Sequence, residues 1–177
     1  KGRINAKIKD KRLIFSENSL KNHDFTLLKK NRMSISQQFD LTGRVAIISG
    51  ASKGIGKAIA RGLAEQGASV VVSSRKQEAV DGVAEEFRAD GLEATGIACH
   101  VGDEAQLKNL VDKTIEKYGG IDILINNAAT NPVFGPIEDM TGEVFDKVMN
   151  VNVRACMLLA NLCKPSMAKR GHGSIIH

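Results

Sequence analysis

From residue 44 onward, short apolar runs alternate with stretches in which apolar residues recur every three or four positions. Val45-Ala46-Ile47-Ile48-Ser49 is apolar until Gly50 closes it, the mark of a strand buried on both faces. Ile55, Ala58, Ile59 and Leu63 then fall at helical spacing. Lys57, Arg61 and Glu65 lie opposite them, and Gly67 stands where a helix cap belongs. Ser69-Val70-Val71-Val72-Ser73 repeats the strand pattern. Ala79, Val80, Val83, Ala84 and Phe87 predict a second amphipathic helix, and residues 94–99 a third strand. Asp103 caps a third helix that presents Leu107, Leu110, Val111, Thr114 and Ile115; Gly119-Gly120 end it, and residues 121–125 form a fourth strand. Beyond a loop, Phe145, Val148, Met149, Asn152, Cys156 and Leu159 mark the sheet-facing side of a long helix that Pro165 ends or kinks. Residues 173–177 begin a fifth strand. The alternation predicts the α/β class, with a doubly wound parallel sheet of the Rossmann type truncated at its fifth strand.

Composition changes this picture little. The chain has 177 residues, 42% hydrophobic and 25% charged, an ordinary globular balance. No apolar run approaches the length of a bilayer span, so no membrane partner is expected. The cysteines at 99, 156 and 163 form no CxxC pair and fall in apolar stretches. They read as reduced core thiols of a cytoplasmic protein. The histidines at 23, 100, 172 and 177 make no ligand pattern, so no metal is expected.

Charge is distributed unevenly. Residues 1–32 carry ten Lys/Arg against three Asp/Glu, and the rest carry fifteen against seventeen. The net charge of +5 therefore belongs to a leader. Its single apolar residues keep no period, and the first methionine is Met33. The expected division is a basic, disordered leader over 1–38 and one nucleotide-binding domain over 39–177, incomplete at its carboxyl end. A basic leader attracts phosphate without reading sequence, but the body carries no aromatic platform or basic helix, so nucleic acid is not the expected partner.

The candidate chemistry sits at strand ends. Ser49-Gly50-Ala51-Ser52-Lys53-Gly54-Ile55-Gly56 joins a buried strand to an amphipathic helix. Gly50 permits a tight turn, Gly54 lets a pyrophosphate approach the backbone, and Gly56 lets the helix pack closely. The N–H groups of the first helical turn then attract the anion. The second strand runs out as Ser73-Ser74-Arg75-Lys76, without a carboxylate to hold ribose hydroxyls. Ser74 removes the repulsion an Asp would impose on a 2′-phosphate, Arg75 offers a planar fork to it, and Lys53 adds a second charge. This favours NADP over NAD. Asn126-Asn127-Ala128-Ala129 at the end of the fourth strand can tie adjacent loops together or form a plain turn. Asn152, a polar residue within an apolar face, needs partners, because an unsatisfied buried amide costs roughly 1–3 kcal/mol. An amide fixing helix to sheet would satisfy it as well as a functional role.

Taken together in this order, the glycine turn, Asn126-Asn127-Ala128-Ala129, Val151-Asn152-Val153 and Gly173-Ser174-Ile175-Ile176 resemble the classical short-chain dehydrogenase/reductase family, from about Phe39 to His177. The resemblance implies cofactor binding by Gly50, Ser52, Lys53, Gly54, Ile55, Gly56, Ser74, Arg75, Val101, Asn127 and Ala128. It implies a catalytic role for Asn152, which organises a water in a proton relay. It also implies an NADP-dependent oxidoreductase acting on a carbonyl/alcohol pair, homo-oligomeric at full length. Ser49 stands for the family's Thr, Ala129 for its Gly, and His100 for an Asp that meets the adenine amino group. That last contact is not carried over, whereas a backbone contact from Val101 is. The family's catalytic Ser and Tyr-x-x-x-Lys are absent from these residues. The single tyrosine, Tyr118, precedes Gly119-Gly120-Ile121 and reads as a helix-end packing residue. The alternative reading is a non-catalytic nucleotide-binding fragment or degenerate relative.

Overall fold

A computed structural model of the chain describes residues 7–9, 12–14 and 38–177. Residues 1–39 and 40–177 form separate units. In the first, strands β1 (Lys7–Lys9) and β2 (Arg12–Ile14) pair antiparallel, with Ile8 opposite Leu13. Three-residue strands are too short to leave a period in the sequence. Residues 1–6, 10–11 and 15–37 of the expected leader lie outside the described residues.

The second unit is built on strands β3 (Val45–Ser49), β4 (Ser69–Ser74), β5 (Ala94–Ala98), β6 (Ile123–Ile125) and β7 (Ser174–Ile176). They stand in the order β5-β4-β3-β6-β7, and every neighbouring pair is parallel. Each connection passes through helix: α1 (Gly54–Glu65), α2 (Gln77–Ala89), α3 (Glu104–Tyr118), then α4 (Gly142–Met149) and α5 (Ala155–Arg170) joined by a π-helical turn at Asn150–Arg154. The expected fold class is the observed one.

Alternation along the central strands divides the apolar interior in two. Ala46, Ile48, Val70 and Val72 turn to one side and pack with Ala60, Ala64, Val80, Val83, Ala84 and Phe87 of α1 and α2. Ile47, Val71 and Leu124 turn to the other and pack with Leu107, Leu110, Val111, Leu159, Cys163 and Met167 of α3 and α5. Successive side chains of a strand point to opposite faces, so a continuously apolar strand serves both layers. Each fully buried Val, Leu or Ile contributes about 1.5–3 kcal/mol.

Three details depart from the sequence reading. The sheet-facing stripe of α1 is Gly56, Ala60 and Ala64. Ile59 and Leu63 only flank it, and Ile55 is 75% exposed. Small residues take the contact because the helix lies close to the sheet. The long helix around Asn152 is interrupted by the π turn, which adds a residue to the helical cycle and shifts its face. Ala155, Leu159, Cys163 and Met167 become the buried stripe, and Phe145 and Met149 of the expected face are exposed. Pro165 lies inside α5 and does not end it. It and Asn161, whose carbonyl loses its helical partner, are both exposed, so water can hydrate that carbonyl.

At the amino ends of the strands, one buried carboxylate joins several elements. Asp122 Oδ2 accepts the Val45 N–H at 2.8 Å, and Oδ1 meets Arg170 Nε at 2.8 Å and His172 Nδ1 at 2.9 Å. Arg44 closes the cluster against His172. Among the described residues no helix is long and apolar enough to cross a membrane. No group of His, Cys, Asp or Glu among them is arranged to hold a metal ion.

Candidate nucleotide and active site

Because the strands are parallel, the loops after β3, β4, β5 and β6 share one rim. At its centre, Ser49 ends β3 with a buried hydroxyl whose hydrogen bonds all stay within the rim. Its Oγ donates to the Ile125 carbonyl at 3.3 Å and accepts the Asn127 and Ala128 N–H groups, both at 3.1 Å. Asn127 Nδ2 returns two bonds, to the Ser49 and Gly50 carbonyls at 3.0 and 3.1 Å. The Asn-Asn-Ala stretch therefore buttresses the glycine turn from behind.

The turn's glycines have different reasons. Gly50 has φ +68°, and a Cβ there would lie 2.9 Å from Ala128 Cα. At Gly56 a Cβ would come within 2.5 Å of both the Gly50 carbonyl oxygen and Asn127 Nδ2. Gly54 has φ +58° and open space around its Cα. Lys53 enters α1 extended, with no side-chain cap, and no acid stands in the first turn. The first-turn N–H groups thus lack intrahelical partners and face the rim. Ser52 is half-buried and Ile55 exposed beside them.

Charge at the rim is positive. Lys53 and Arg75 are exposed, and no ion pair to either occurs among the described residues. By contrast, Lys57 and Arg61 are engaged by Glu86 and Asp90. Ser74 ends β4, and its carbonyl accepts the Cys99 N–H at 2.8 Å. A side-chain-free floor at Gly54, an uncapped helix start and two unpaired cations fit a phosphate-bearing dinucleotide.

Beyond β5, His100 Nδ1 accepts the Gly102 N–H at 3.2 Å. Val101 is half-buried and lines a narrow crevice with Ser49, Asn126, Ala128, Val151 and Cys156. Asp103 caps α3, and the Gln106 and Ala105 N–H groups hold its carboxyl below the usual carboxylate range.

Asn152 is half-buried in the π turn. Its Oδ1 accepts the Thr130 N–H at 2.8 Å, and its Nδ2 donates to the Thr130 carbonyl at 2.9 Å. The side chain thus fixes the helix to the loop after β6 and not to the sheet. Two residues earlier, Asn150 Nδ2 donates to the Gly102 carbonyl at 3.2 Å, and Arg154 reaches both Asn150 and Glu104. The π turn is thereby tied to the loops after β5 and β6.

Sequence reasoning placed Ser49 at the head of the glycine turn without assigning it a role, and left out Thr130 and Asn150. A hydroxyl closing an otherwise apolar strand was a usable signal for Ser49. Thr130 and Asn150 carried none. Tyr118 ends α3 away from the rim; its hydroxyl bonds Thr95 Oγ1 at 2.7 Å and Glu93 Oε1 at 2.9 Å, and burial pushes it up to about 12.

The model of the short chain dehydrogenase family matches residues 44–177. Dehydrogenase/reductase SDR family member 4 of Oryctolagus cuniculus is 46% identical over 142 residues, covering 80% of this chain and 55% of that protein. Tropinone reductase-like 3 of Erythroxylum coca is 42% identical over 141 residues, covering 80% and 54%. A gluconate 5-dehydrogenase from Burkholderia cenocepacia, solved in complex with NADP and tartrate, superposes with a TM-score of 0.75 at 34% identity, over 80% of this chain and 55% of that one. The chain spans about half the length of the curated relatives it matches.

Proposed function

Since the chain belongs to the short-chain dehydrogenase family, we propose that it is the cofactor-holding part of an NADP-dependent oxidoreductase acting on a carbonyl/alcohol pair. The observation that carries this reading is the pair of unpaired cations, Lys53 and Arg75, flanking an uncapped, acid-free helix start at the glycine turn. In a bound complex the first turn of α1 would hold the diphosphate, and Ser74 and Arg75 the 2′-phosphate. The Val101 backbone would line the base side. The NADP found with the Burkholderia relative supports this reading.

The cofactor supplies hydride chemistry when bound; the residues present bind, orient and brace it. Ser49, Asn127 and Ala128 hold the turn in shape. Asn152 clamps Thr130 through its amide, and its proposed part in organising a proton-relay water is the one the family resemblance implies. We place the protein in the cytoplasm, which the three free thiols support. Residues 1–38 are proposed as a leader outside the folded domain. The proposed partners are a small-molecule substrate and further copies of the full-length chain, not nucleic acid or a membrane.

Calorimetric titration of Arg75→Asp with NADP(H) and NAD(H) tests the cofactor assignment. A lost charge-assisted contact predicts an NADP(H) loss of roughly ten- to hundredfold, with little change for NAD(H). Equal losses for the two cofactors would remove Arg75 from the 2′-phosphate.

A second reading, that these 177 residues bind the cofactor without turning over substrate, is favoured by Tyr118. It is the single tyrosine, it lacks a following Lys at the required spacing, and its hydroxyl is engaged elsewhere.

A further inference from the structure

We propose that the outer edge of β5, with the face of α3 beside it, binds an extended acidic segment of a partner protein, which adds to the sheet as a parallel strand. The ladder to β4 uses half of the β5 backbone. The Glu93 carbonyl accepts the Val70 N–H, and the Cys99 N–H donates to the Ser74 carbonyl. Alternation along the strand then turns the N–H and C=O groups of Ala94, Gly96 and Ala98 outward. Gln77 spans two of them, donating to the Gly96 carbonyl at 3.1 Å and accepting the Ala98 N–H at 2.9 Å. Those are the two bonds that one residue of an added parallel strand would make. The Gln77 amide therefore stands in for a peptide. Once displaced it keeps a partner, Asp81 Oδ1, to which it already donates at 2.7 Å. The Gly96 N–H has no hydrogen-bond partner among the described residues.

Beside this edge opens a cavity of about 630 Å³, within the roughly 300–1,000 Å³ range of ligand sites. None of its lining residues belongs to the nucleotide site. Its charged lining is Lys113, Glu116 and Lys117, all exposed on α3, and none of them has an ion pair among the described residues. Glu116 offsets one of the two positive charges. Lys117 Nζ donates to Thr95 Oγ1 at 2.5 Å, which sets it abreast of Thr95 and leaves it two further N–H groups. Lys113, one helical turn earlier in α3, lies nearer the carboxyl end of β5, where α3 begins, and lines the cavity with Ile97. Four helical residues rise about 6 Å, and two strand residues about 6.6 Å. Thr95 and Ile97 both turn toward α3. Residues of an added strand that pair beside them turn the same way, so acids at alternate positions meet the two lysines.

The test is fluorescence titration of the chain with labelled Val-Glu-Val-Glu-Val and Val-Lys-Val-Lys-Val peptides, together with hydrogen exchange at the Gly96 amide. The acidic peptide is expected to bind about tenfold more tightly than the basic one and to slow exchange at Gly96. Lys113→Glu should weaken it roughly three- to tenfold. Gln77→Ala, which removes the stand-in, should tighten it about fivefold. Equal affinity for the two peptides would overturn the proposal. So would unchanged affinity in Lys113→Glu, which would mark attraction to the basic leader alone. Binding that leaves Gly96 exchange unslowed, or that weakens in Gln77→Ala, would rule out strand addition and overturn it as well.

Discussion

The glycine turn shows how narrowly single residues are constrained. Gly56 has a normal backbone, so its requirement is one of space: a Cβ would sit 2.5 Å from the Gly50 carbonyl oxygen and from Asn127 Nδ2. Neither neighbour can retreat, since Asn127 is pinned by two carbonyls and Gly50 is boxed in by Ala128. Gly56→Ala is expected to cost about 1–3 kcal/mol, as overpacking does. It should also abolish NADPH binding, because the turn must open to admit the methyl. Denaturant unfolding and calorimetry together check this; a variant as stable as the wild type and still binding would contradict it. Gly50, Gly54 and Gly56 were legible in the sequence because glycine spacing is local. Ser49 was visible at the head of the turn, but its bracing role was not, because its partners lie 76 to 79 residues away.

At the level of elements, the outer edge of β5 is covered by side chains. Gln77 Nε2 donates to the Gly96 carbonyl at 3.1 Å, and its Oε1 accepts the Ala98 N–H at 2.9 Å. Arg88 Nη1 donates to the Ala94 carbonyl at 2.9 Å. An open edge invites pairing with another chain, and these bonds occupy part of it. Gln77→Ala should therefore lose about 1 kcal/mol and associate more readily at high concentration. Light scattering of the variant beside the wild type decides the second point, and unchanged scattering would show that the edge is guarded by other means. Element order was readable because β-branched runs are unambiguous. The phase of α1 was not, since Gly56, Ala60 and Ala64 carry its contact with little hydrophobicity. Nor was the π turn: a shift in backbone bonding has no side-chain signature, and Asn150 and Asn152 reveal their purpose only through Gly102 and Thr130.

For the molecule as a whole, the 177-residue chain is expected to reduce no carbonyl across a broad ketone and aldehyde panel, because proton donation needs a positioned acid and its single tyrosine, Tyr118, has its hydroxyl engaged by Thr95 and Glu93. NADPH consumption that scales with protein and vanishes in Asn152→Ala would contradict that. Alkali should weaken the fold. Burial pushes Cys99 to about 11, Cys163 to about 12 and Tyr118 to about 12, above ordinary values of 9.0 for the thiols and 10.0 for the phenol. Between the ordinary and folded values the native state holds the extra protons. This contribution is therefore fully present below about pH 9 and shrinks as pH rises, by at most about 1.4 kcal/mol per pH unit for each group. Denaturant unfolding at about pH 8 and about pH 10.5 should show the decline, less steep in Cys163→Val; equal slopes would assign it to other groups. The divided interior has a further consequence. Its two clusters lie on opposite sides of the strands they share, so each behaves as a separate reservoir of cooperativity coupled by one shared wall. Loosening the α1–α2 half should release its amides to hydrogen exchange while those of α3 and α5 stay slow. Only rupture of the β3–β4 ladder should discharge both together.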